Sequence, residues 1–262
     1  MAQADGEGIN LVKDKIARGE AVYSLTVRLV RGVEIAAIAR SAGFDAIYID
    51  LEHSGISIET AGQICIASHG MGVTPFVRVP GIDPYFITRV LDAGALGIIV
   101  PDLHSAEDAM KVVQAVKYRP MGERSLPGVT SQLHYRALPM SVACETLNDA
   151  TMIIAMIESA AGLAAVEEIA AVPGIDILLV GANDLCSDHG VPGQFDHEIV
   201  ERAYARTQAA CEANGKTMGV GGLASRPDLM KKYVALGGRY VSLGADLSML
   251  VAAATQKRKD VA

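Results

Sequence analysis

The chain has 262 residues, of which 50% are hydrophobic and 20% charged, and its formal net charge at pH 7 is −7. The length suits one large α/β domain, and the negative charge argues against nucleic acid as a partner. No apolar stretch approaches the roughly 20 residues that a membrane span needs. The polar start at residues 1–8 lacks the features of a signal peptide, and the four cysteines form no CxxC pair. We therefore expect a cytoplasmic protein with reduced thiols.

Eight short apolar runs predict β-strands. They are rich in Val, Ile, Leu and Ala without a strict alternation, which is typical of parallel strands buried on both faces. The predicted strands cover residues 22–27, 46–49, 74–77, 97–100, 153–157, 177–180, 217–220 and 240–243.

Helical periodicity fills most of the segments between these strands. The first such helix begins at Val33 and ends at Gly43, a residue that often terminates helices. Ser105 to Asp108 resembles a capping box and predicts the start of another helix. Further helices are predicted over residues 162–171, 198–214 and 226–237.

The repeated alternation of strands and helices predicts a (β/α)8 TIM barrel, formed as a single domain over residues 1–262. A doubly wound open sheet is the alternative. That fold would usually carry a glycine-rich turn after its first strand, and residues 27–30 contain no glycine.

One connection is much longer than the others. The fourth strand ends at residue 100 and the fifth begins at residue 153, with Pro, Gly and Arg concentrated in residues 118–128 and a further polar stretch at residues 132–136. Long loops of this kind are usually functional. We interpret the segment as an excursion from the barrel mouth, and we expect residues 122–136 to shape a substrate pocket or an interface.

Polar and charged residues follow several predicted strands directly. In a parallel barrel the C-terminal ends of all strands open onto one mouth, where active sites lie. The pattern therefore predicts that two carboxylates, a histidine and an arginine from distant segments meet at one site. These residues are His53, Arg78, Glu158 and Asp184.

Glu158 and Asp184 end consecutive strands, so their carboxylates are predicted to lie close together. Two such groups repel each other unless a cation or a proton lies between them. Their oxygen atoms suit Mg²⁺ or Mn²⁺, with open positions for water and substrate. The alternative is that each residue caps the helix that follows it.

His53 and Arg78 each allow two interpretations. His53 shares a turn with Asp50 and Glu52, either of which can orient it as an acid–base group, but a histidine near a strand end is more often an ordinary loop or core residue. Arg78 needs an anion near the core. That anion is either a substrate or an internal partner, Asp50 or Asp45.

Other chemistries have less support. The backbone N–H groups of residues 181–183 suit a carboxylate or phosphate, although glycine is also common in ordinary turns. No lysine ends a predicted strand, which argues against a Schiff-base aldolase. The chain also has no GxSxG motif for a serine nucleophile.

Six ordered stretches resemble the HpcH/HpaI family of class II, metal-dependent pyruvate aldolases, which includes 4-hydroxy-2-oxoheptanedioate aldolase and 2-keto-3-deoxy-glucarate aldolase. The resemblance extends over nearly the whole chain. Met156 is a departure, because many relatives carry Gln at this position. The matching stretches are residues 44–53, 75–80, 89–101, 156–159, 181–185 and 237–250.

The resemblance implies a role for each site residue. Glu158 and Asp184 would bind Mg²⁺ or Mn²⁺, with Co²⁺ as a further possibility, and the metal would be chelated by the 2-oxo acid. Arg78 would neutralise the enolate oxygen, and His53 would act as the acid–base residue. Asp92 matches the acid that pairs with this histidine in the family. The substrate carboxylate would lie against Gly181, Ala182, Asn183 and Asp184.

The resemblance also implies the reaction and the assembly. The protein would be a lyase that reversibly cleaves 4-hydroxy-2-oxo acids to pyruvate, or a similar 2-oxo acid such as hydroxypyruvate, and an aldehyde, through a metal-stabilised enolate. Its partners would be these small molecules and further copies of the chain. Family members are trimers or hexamers that exchange the last helix between subunits, and the apolar residues 249–254 fit such an exchange.

Two alternatives to the aldolase remain. The first is a related enolate enzyme on the same scaffold: a CoA-thioester lyase, or a decarboxylase or synthase that uses oxaloacetate. The sequence shows no basic cluster suited to CoA. The second is a non-catalytic binding or scaffold protein, which would not need Glu158, Asp184, Arg78, His53 and Asp92 together.

Overall fold

Eight parallel strands close into a barrel in chain order in the computed structural model, which describes residues 8–126 and 128–262. Helices alternate with the strands, so the predicted (β/α)8 TIM barrel is confirmed. The strands, named β1 to β8, are Val22–Val27, Ala46–Asp50, Thr74–Arg78, Gly97–Val100, Met152–Ile157, Ile177–Gly181, Thr217–Gly221 and Tyr240–Ala245.

Twelve α-helices are found among the described residues, together with a 3₁₀ helix at Ser131–Leu133. None of them is long and apolar enough to cross a membrane. Residues 1–7 of the polar start lie outside the described residues, as does Pro127 of the long connection. The α-helices, named α1 to α12, are Leu11–Ala17, Glu34–Ser41, Ile58–Met71, Pro84–Asp92, Ala106–Val116, Met140–Ala150, Ala160–Ala164, Val166–Ala170, Ala182–Asp188, Glu198–Asn214, Pro227–Leu236 and Asp246–Lys259.

The helix boundaries follow the local chemistry of the sequence. The Ser105 side chain accepts a hydrogen bond from the backbone N–H of Asp108, which confirms the predicted cap of α5. Gly215 ends α10 in the left-handed conformation, with φ of 63°. The helix predicted over 162–171 instead begins at Ala160, where Ser159 caps it, and is divided at Ala165 into α7 and α8.

Alternating side chains of the strands build two layers of core. Ile47 and Val77 point outward and join the large cluster between the sheet and the helices. Tyr48 and Phe76 point inward, and Phe76 packs edge to face against Tyr240 from the far side of the ring. Both faces of the strands are therefore buried, which explains their continuous apolar sequence.

The long connection does not leave from the barrel mouth, so this interpretation was wrong for a single chain. Helix α5 runs from the mouth back to the opposite end of the barrel, and the chain then passes through residues 117–151 before it enters β5. There Gln132 donates to the carbonyl of Ala95, just before β4. The sequence pattern identified an unusual segment but not the end of the barrel on which it lies.

Helix α12 leaves most of its surface uncovered within one chain. Of its residues only Asp246 is buried, and Leu247, Leu250 and Val251 expose about half of their surface (47%, 59% and 57%). A barrel helix normally buries an apolar stripe against the sheet. Here that stripe has no partner among the described residues.

Candidate active site

A cavity of about 330 Å³ opens at the C-terminal ends of the strands. All four residues that were predicted to meet at the mouth line it: His53, Arg78, Glu158 and Asp184. They come from segments that are far apart in sequence and are brought together by the closure of the barrel. Active sites of this fold lie at this end of the strands.

A buried ion pair connects the ends of β2 and β3. Asp50 and Arg78 are the last residues of these strands and are register partners. Arg78 donates from Nε and Nη2 to the two carboxylate oxygens of Asp50, at 2.9 and 2.7 Å. Its Nη1 lies 2.9 Å from Oε2 of Glu52. Arg78 therefore has internal partners, as one alternative predicted, and it also faces the cavity.

Asp50 and Arg78 each stabilise the charged form of the other, although both are buried. Burial alone would raise the pKa of Asp50, but the hydrogen bonds and the positive charge of Arg78 hold that pKa below its ordinary value. Burial likewise opposes the charge of Arg78, and Asp50 raises the pKa of the guanidinium above its ordinary value. Both groups are therefore charged at neutral pH.

Arg28 joins this network and was missed by the sequence interpretation. Its Nε donates to Oδ2 of Asp50 at 2.6 Å, and its side chain lines the cavity. The signal was available, since Arg28 directly follows β1 as Arg78 ends β3.

Glu158 is a buried carboxylate with one oxygen committed and one oxygen free of hydrogen bonds. Oε1 accepts the backbone N–H of Asp102 at 2.9 Å. Oε2 is buried and has no hydrogen-bond partner among the described residues. Burial raises the pKa of Glu158 to about 7 against the bond from Asp102, and the negative charge of Asp184 adds to the rise. A buried acceptor without a partner is costly unless a cation or proton meets it.

Gly181 makes room for this carboxylate. A Cβ atom at Gly181 would lie 2.5 Å from Oε2 of Glu158 and 2.8 Å from its Cβ atom, closer than real contacts allow. Only glycine therefore leaves the free oxygen of Glu158 open to the cavity. The side chain of Met156, at the position where many relatives carry Gln, also lines this wall.

The capping alternative for the two carboxylates is not what the structure shows. Ser159 caps α7, and Gly181 occupies the cap position of α9 without a side-chain bond. Asp184 lies in the first turn of α9 and faces the cavity. In the part of the chain that the structure describes, no three His, Cys, Asp or Glu side chains are placed to hold a metal ion together. The arrangement fits a hard cation with two protein carboxylates and other positions open to water and substrate.

The other residues predicted at the mouth are His53 and the segment 181–183. Gly181 and Asn183 line the cavity, whereas Ala182 is buried in the core beside them. His53 is half exposed at the mouth, with Nε2 3.7 Å from Oε2 of Glu52.

Asp92 does not lie beside His53 within one chain. It ends α4, and barrel helices run from the mouth toward the opposite end, so Asp92 lies at that end. There it binds Arg124 at 2.6 Å. The predicted pairing of Asp92 with His53 is therefore not formed inside a single subunit.

Comparison with known proteins identifies the family. The family model described as HpcH/HpaI aldolase/citrate lyase matches residues 31–253. The chain belongs to this family. It is 38% identical to a 4-hydroxy-4-methyl-2-oxoglutarate aldolase from Chaetomium globosum, with 97% of this chain and 95% of the relative aligned.

A second curated relative and a solved structure support the same family. A hydroxypyruvate/pyruvate aldolase from Paraburkholderia phytofirmans is 33% identical, with 96% and 97% of the two chains aligned. The crystal structure of an HpcH/HpaI aldolase from Desulfitobacterium hafniense superposes with a TM-score of 0.90 at 28% identity and covers 95% of each chain. The predictions of the family and of an aldolase-type lyase are confirmed.

We predict that Asp50→Asn destabilises the fold strongly, because it removes the charge of the carboxylate that accepts both side-chain hydrogen bonds of the buried Arg78 guanidinium. The free energy of unfolding should fall by about 3–5 kcal/mol. Denaturant titration at a fixed protein concentration measures it.

The matched control is Asp149→Asn, which removes a surface carboxylate paired with Lys13. It should change the same free energy by less than about 1 kcal/mol. Equal, small effects of the two substitutions would contradict the structural role given to Asp50.

Proposed function

We propose that the protein is a divalent-metal-dependent aldolase. It reversibly cleaves 4-hydroxy-2-oxo acids to pyruvate, or a similar 2-oxo acid such as hydroxypyruvate, and a second carbonyl compound. The observation that carries the proposal is the buried, unpartnered oxygen of Glu158, which shares the cavity with Asp184 and Arg78. The names of the Chaetomium and Paraburkholderia relatives support this substrate class.

The metal site would use the two carboxylates. Members of the family generally depend on a divalent metal ion, and Glu158 and Asp184 offer the oxygen ligands that Mg²⁺ or Mn²⁺ prefer, with Co²⁺ as a further candidate. A bound ion would polarise the 2-oxo group of the substrate and stabilise negative charge on its oxygen. Asn183 and the backbone at Gly181 would lie beside the substrate carboxylate.

Arg78 would stabilise the enolate oxygen. A guanidinium has five N–H groups. Two of those of Arg78 are donated to Asp50, and its Nη1 is also paired by charge with Glu52. These bonds fix the plane of the group while it faces the cavity, so its remaining N–H groups are available to an oxyanion. A charge that is already oriented needs no reorganisation during the reaction, which makes this kind of stabilisation effective.

His53 would move the proton of the aldol hydroxyl. In the cleavage direction the 4-hydroxyl loses its proton to His53, directly or through water, and the C3–C4 bond breaks. The bonding pair goes to C3 as the enolate, which then takes up a proton to give the methyl group of pyruvate. His53 suits this role because it is half exposed at the mouth and near Glu52.

The assembly would be a homo-oligomer, a trimer or hexamer in which α12 is exchanged between subunits. The support is the apolar surface of α12 that its own barrel leaves uncovered. Because Asp92 lies at the far end of the barrel from His53, the predicted pairing of these two residues would also require a second copy of the chain.

We predict that Glu158→Gln weakens metal binding and cleavage together. The substitution keeps the shape of the side chain but removes the charge, so calorimetric affinity for Mn²⁺ should fall by more than the roughly 10- to 100-fold that loss of an outer-shell partner costs. Glu168→Gln removes the charge of an exposed residue of α8 and should leave both properties unchanged. Unchanged Mn²⁺ affinity in Glu158→Gln would refute the proposed metal site.

We predict that Leu250→Asp reduces the mass of the assembly. This side chain is 59% exposed in one chain, and a charge there should disfavour burial against another subunit. Light scattering after size exclusion measures the mass. Met110→Asp, at a position on α5 that is 49% exposed, is the control. A wild-type monomer, or an unchanged oligomer of Leu250→Asp, would contradict the proposed exchange.

A further inference from the structure

Arg28 has no role in the chemistry proposed above, although it lines the same cavity. It follows β1, and in a closed ring of eight strands β1 lies opposite β5, which carries Glu158. Arg28 and the carboxylates that would hold the metal therefore occupy opposite walls of the mouth. A substrate whose 2-oxo acid end lies at Glu158 would direct its other end toward Arg28.

Two carboxylates fix Arg28 in place. Asp246, the first residue of α12, accepts the backbone N–H of Arg28 at 3.0 Å and also those of Leu29 and Val30. Asp50 accepts from the side-chain Nε at 2.6 Å. The backbone and the start of the guanidinium are thus both anchored, which limits the entropy that Arg28 would lose on binding a ligand.

The outer end of this guanidinium is free. Its Nη1 and Nη2 donate no hydrogen bond to the described residues, and its side chain is 36% exposed. Arg78 differs, because it is 4% exposed and all three of its nitrogens have carboxylate partners. Asp50 is also shared between the two arginines, so it only partly offsets the charge of Arg28.

The wall beside Arg28 leaves space for a ligand group. The neighbouring lining residues from β8 and the segments around it are small: Ser242, Gly244, Ala245 and Ala224. A planar group of two oxygens fits the free edge of a guanidinium by two parallel hydrogen bonds. The free edge of Arg28 therefore matches a carboxylate better than an apolar group.

We propose that Arg28 binds a carboxylate on the carbonyl compound that the aldol cleavage releases, and thereby sets the specificity of the enzyme for it. This inference rests on the proposed aldolase function and narrows its substrates to 4-hydroxy-2-oxo acids with a second carboxylate beyond C4. Both products are then acids, one formed at the metal end of the cavity and the other held at Arg28.

The test compares two substrates that differ only at this position. In 4-hydroxy-2-oxoglutarate C4 carries a carboxylate, and in 4-hydroxy-2-oxopentanoate it carries a methyl group. With Mg²⁺ or Mn²⁺ present, kcat/KM is measured for each by pyruvate formation. The wild type should prefer the glutarate, and Arg28→Gln should reduce the ratio of the two values by roughly 10- to 100-fold, as expected for loss of a charged hydrogen bond.

Two further variants make the result specific. Arg28→Lys keeps the positive charge but loses the paired N–H donors of the guanidinium. Its ratio of kcat/KM values should lie between those of the wild type and Arg28→Gln. Arg31→Gln is the matched control. Among residues 8–126 and 128–262, Arg31 donates to the carbonyl of Gly55 and is not part of the cavity lining. It should leave the ratio unchanged. A ratio within one preparation does not depend on how much of a variant is folded.

The outcomes separate this inference from the function on which it rests. If the wild type cleaves both substrates but Arg28→Gln leaves their ratio unchanged, Arg28 does not set specificity and the aldolase assignment stands. If the metal-loaded wild type cleaves neither substrate, the proposed function itself fails and this inference fails with it.

Discussion

The mouth of the barrel depends on a carboxylate that has no contact with solvent. Asp50 is 0% exposed and accepts from Arg78, from Arg28 and from the backbone N–H groups of Glu52 and His53. A buried charge is tolerated only when its oxygens are fully hydrogen-bonded to opposite charges and donors. Satisfying this one residue therefore aligns the ends of β1, β2 and β3 and the turn that carries His53.

On the opposite wall, burial leaves a carboxylate oxygen without a hydrogen-bond partner. Glu158 keeps one oxygen without a partner, and the bond from Asp102 to the other oxygen fixes its orientation. The absent side chain of Gly181 leaves the space that this oxygen occupies. One wall thus provides cations that are already paired, and the other provides an anion that lacks a partner. This polarity fits a reaction in which negative charge moves between carbon and oxygen beside a metal.

Much of this could be predicted from the sequence, for identifiable reasons. The eight strands are buried on both faces, so their apolar runs are continuous and their ends are marked by polar residues such as Arg78 and Glu158. The predicted strand positions accordingly agree with the structure to within two residues. The rule that such ends share one mouth placed four site residues correctly.

The remaining features depend on three-dimensional position. Residues 117–151 form an unusual segment in the sequence, but the direction of α5 determines that they lie at the far end of the barrel. For the same reason Asp92 is remote from His53 within one chain. The position of Arg28 directly after β1 could have predicted that it lies at the mouth, but its pairing with Asp50 of another strand cannot be read from local sequence.

Loss of the methyl proton signal of pyruvate in D₂O, followed by NMR with the metal added and then chelated, tests the central claim most directly. It isolates enolate formation from any choice of the second carbonyl compound. The account predicts exchange that requires Mg²⁺ or Mn²⁺ and stops when a chelator is added. The account would be contradicted if a folded, metal-loaded protein exchanged the methyl protons of pyruvate no faster than buffer alone, and likewise the hydroxymethylene protons of hydroxypyruvate.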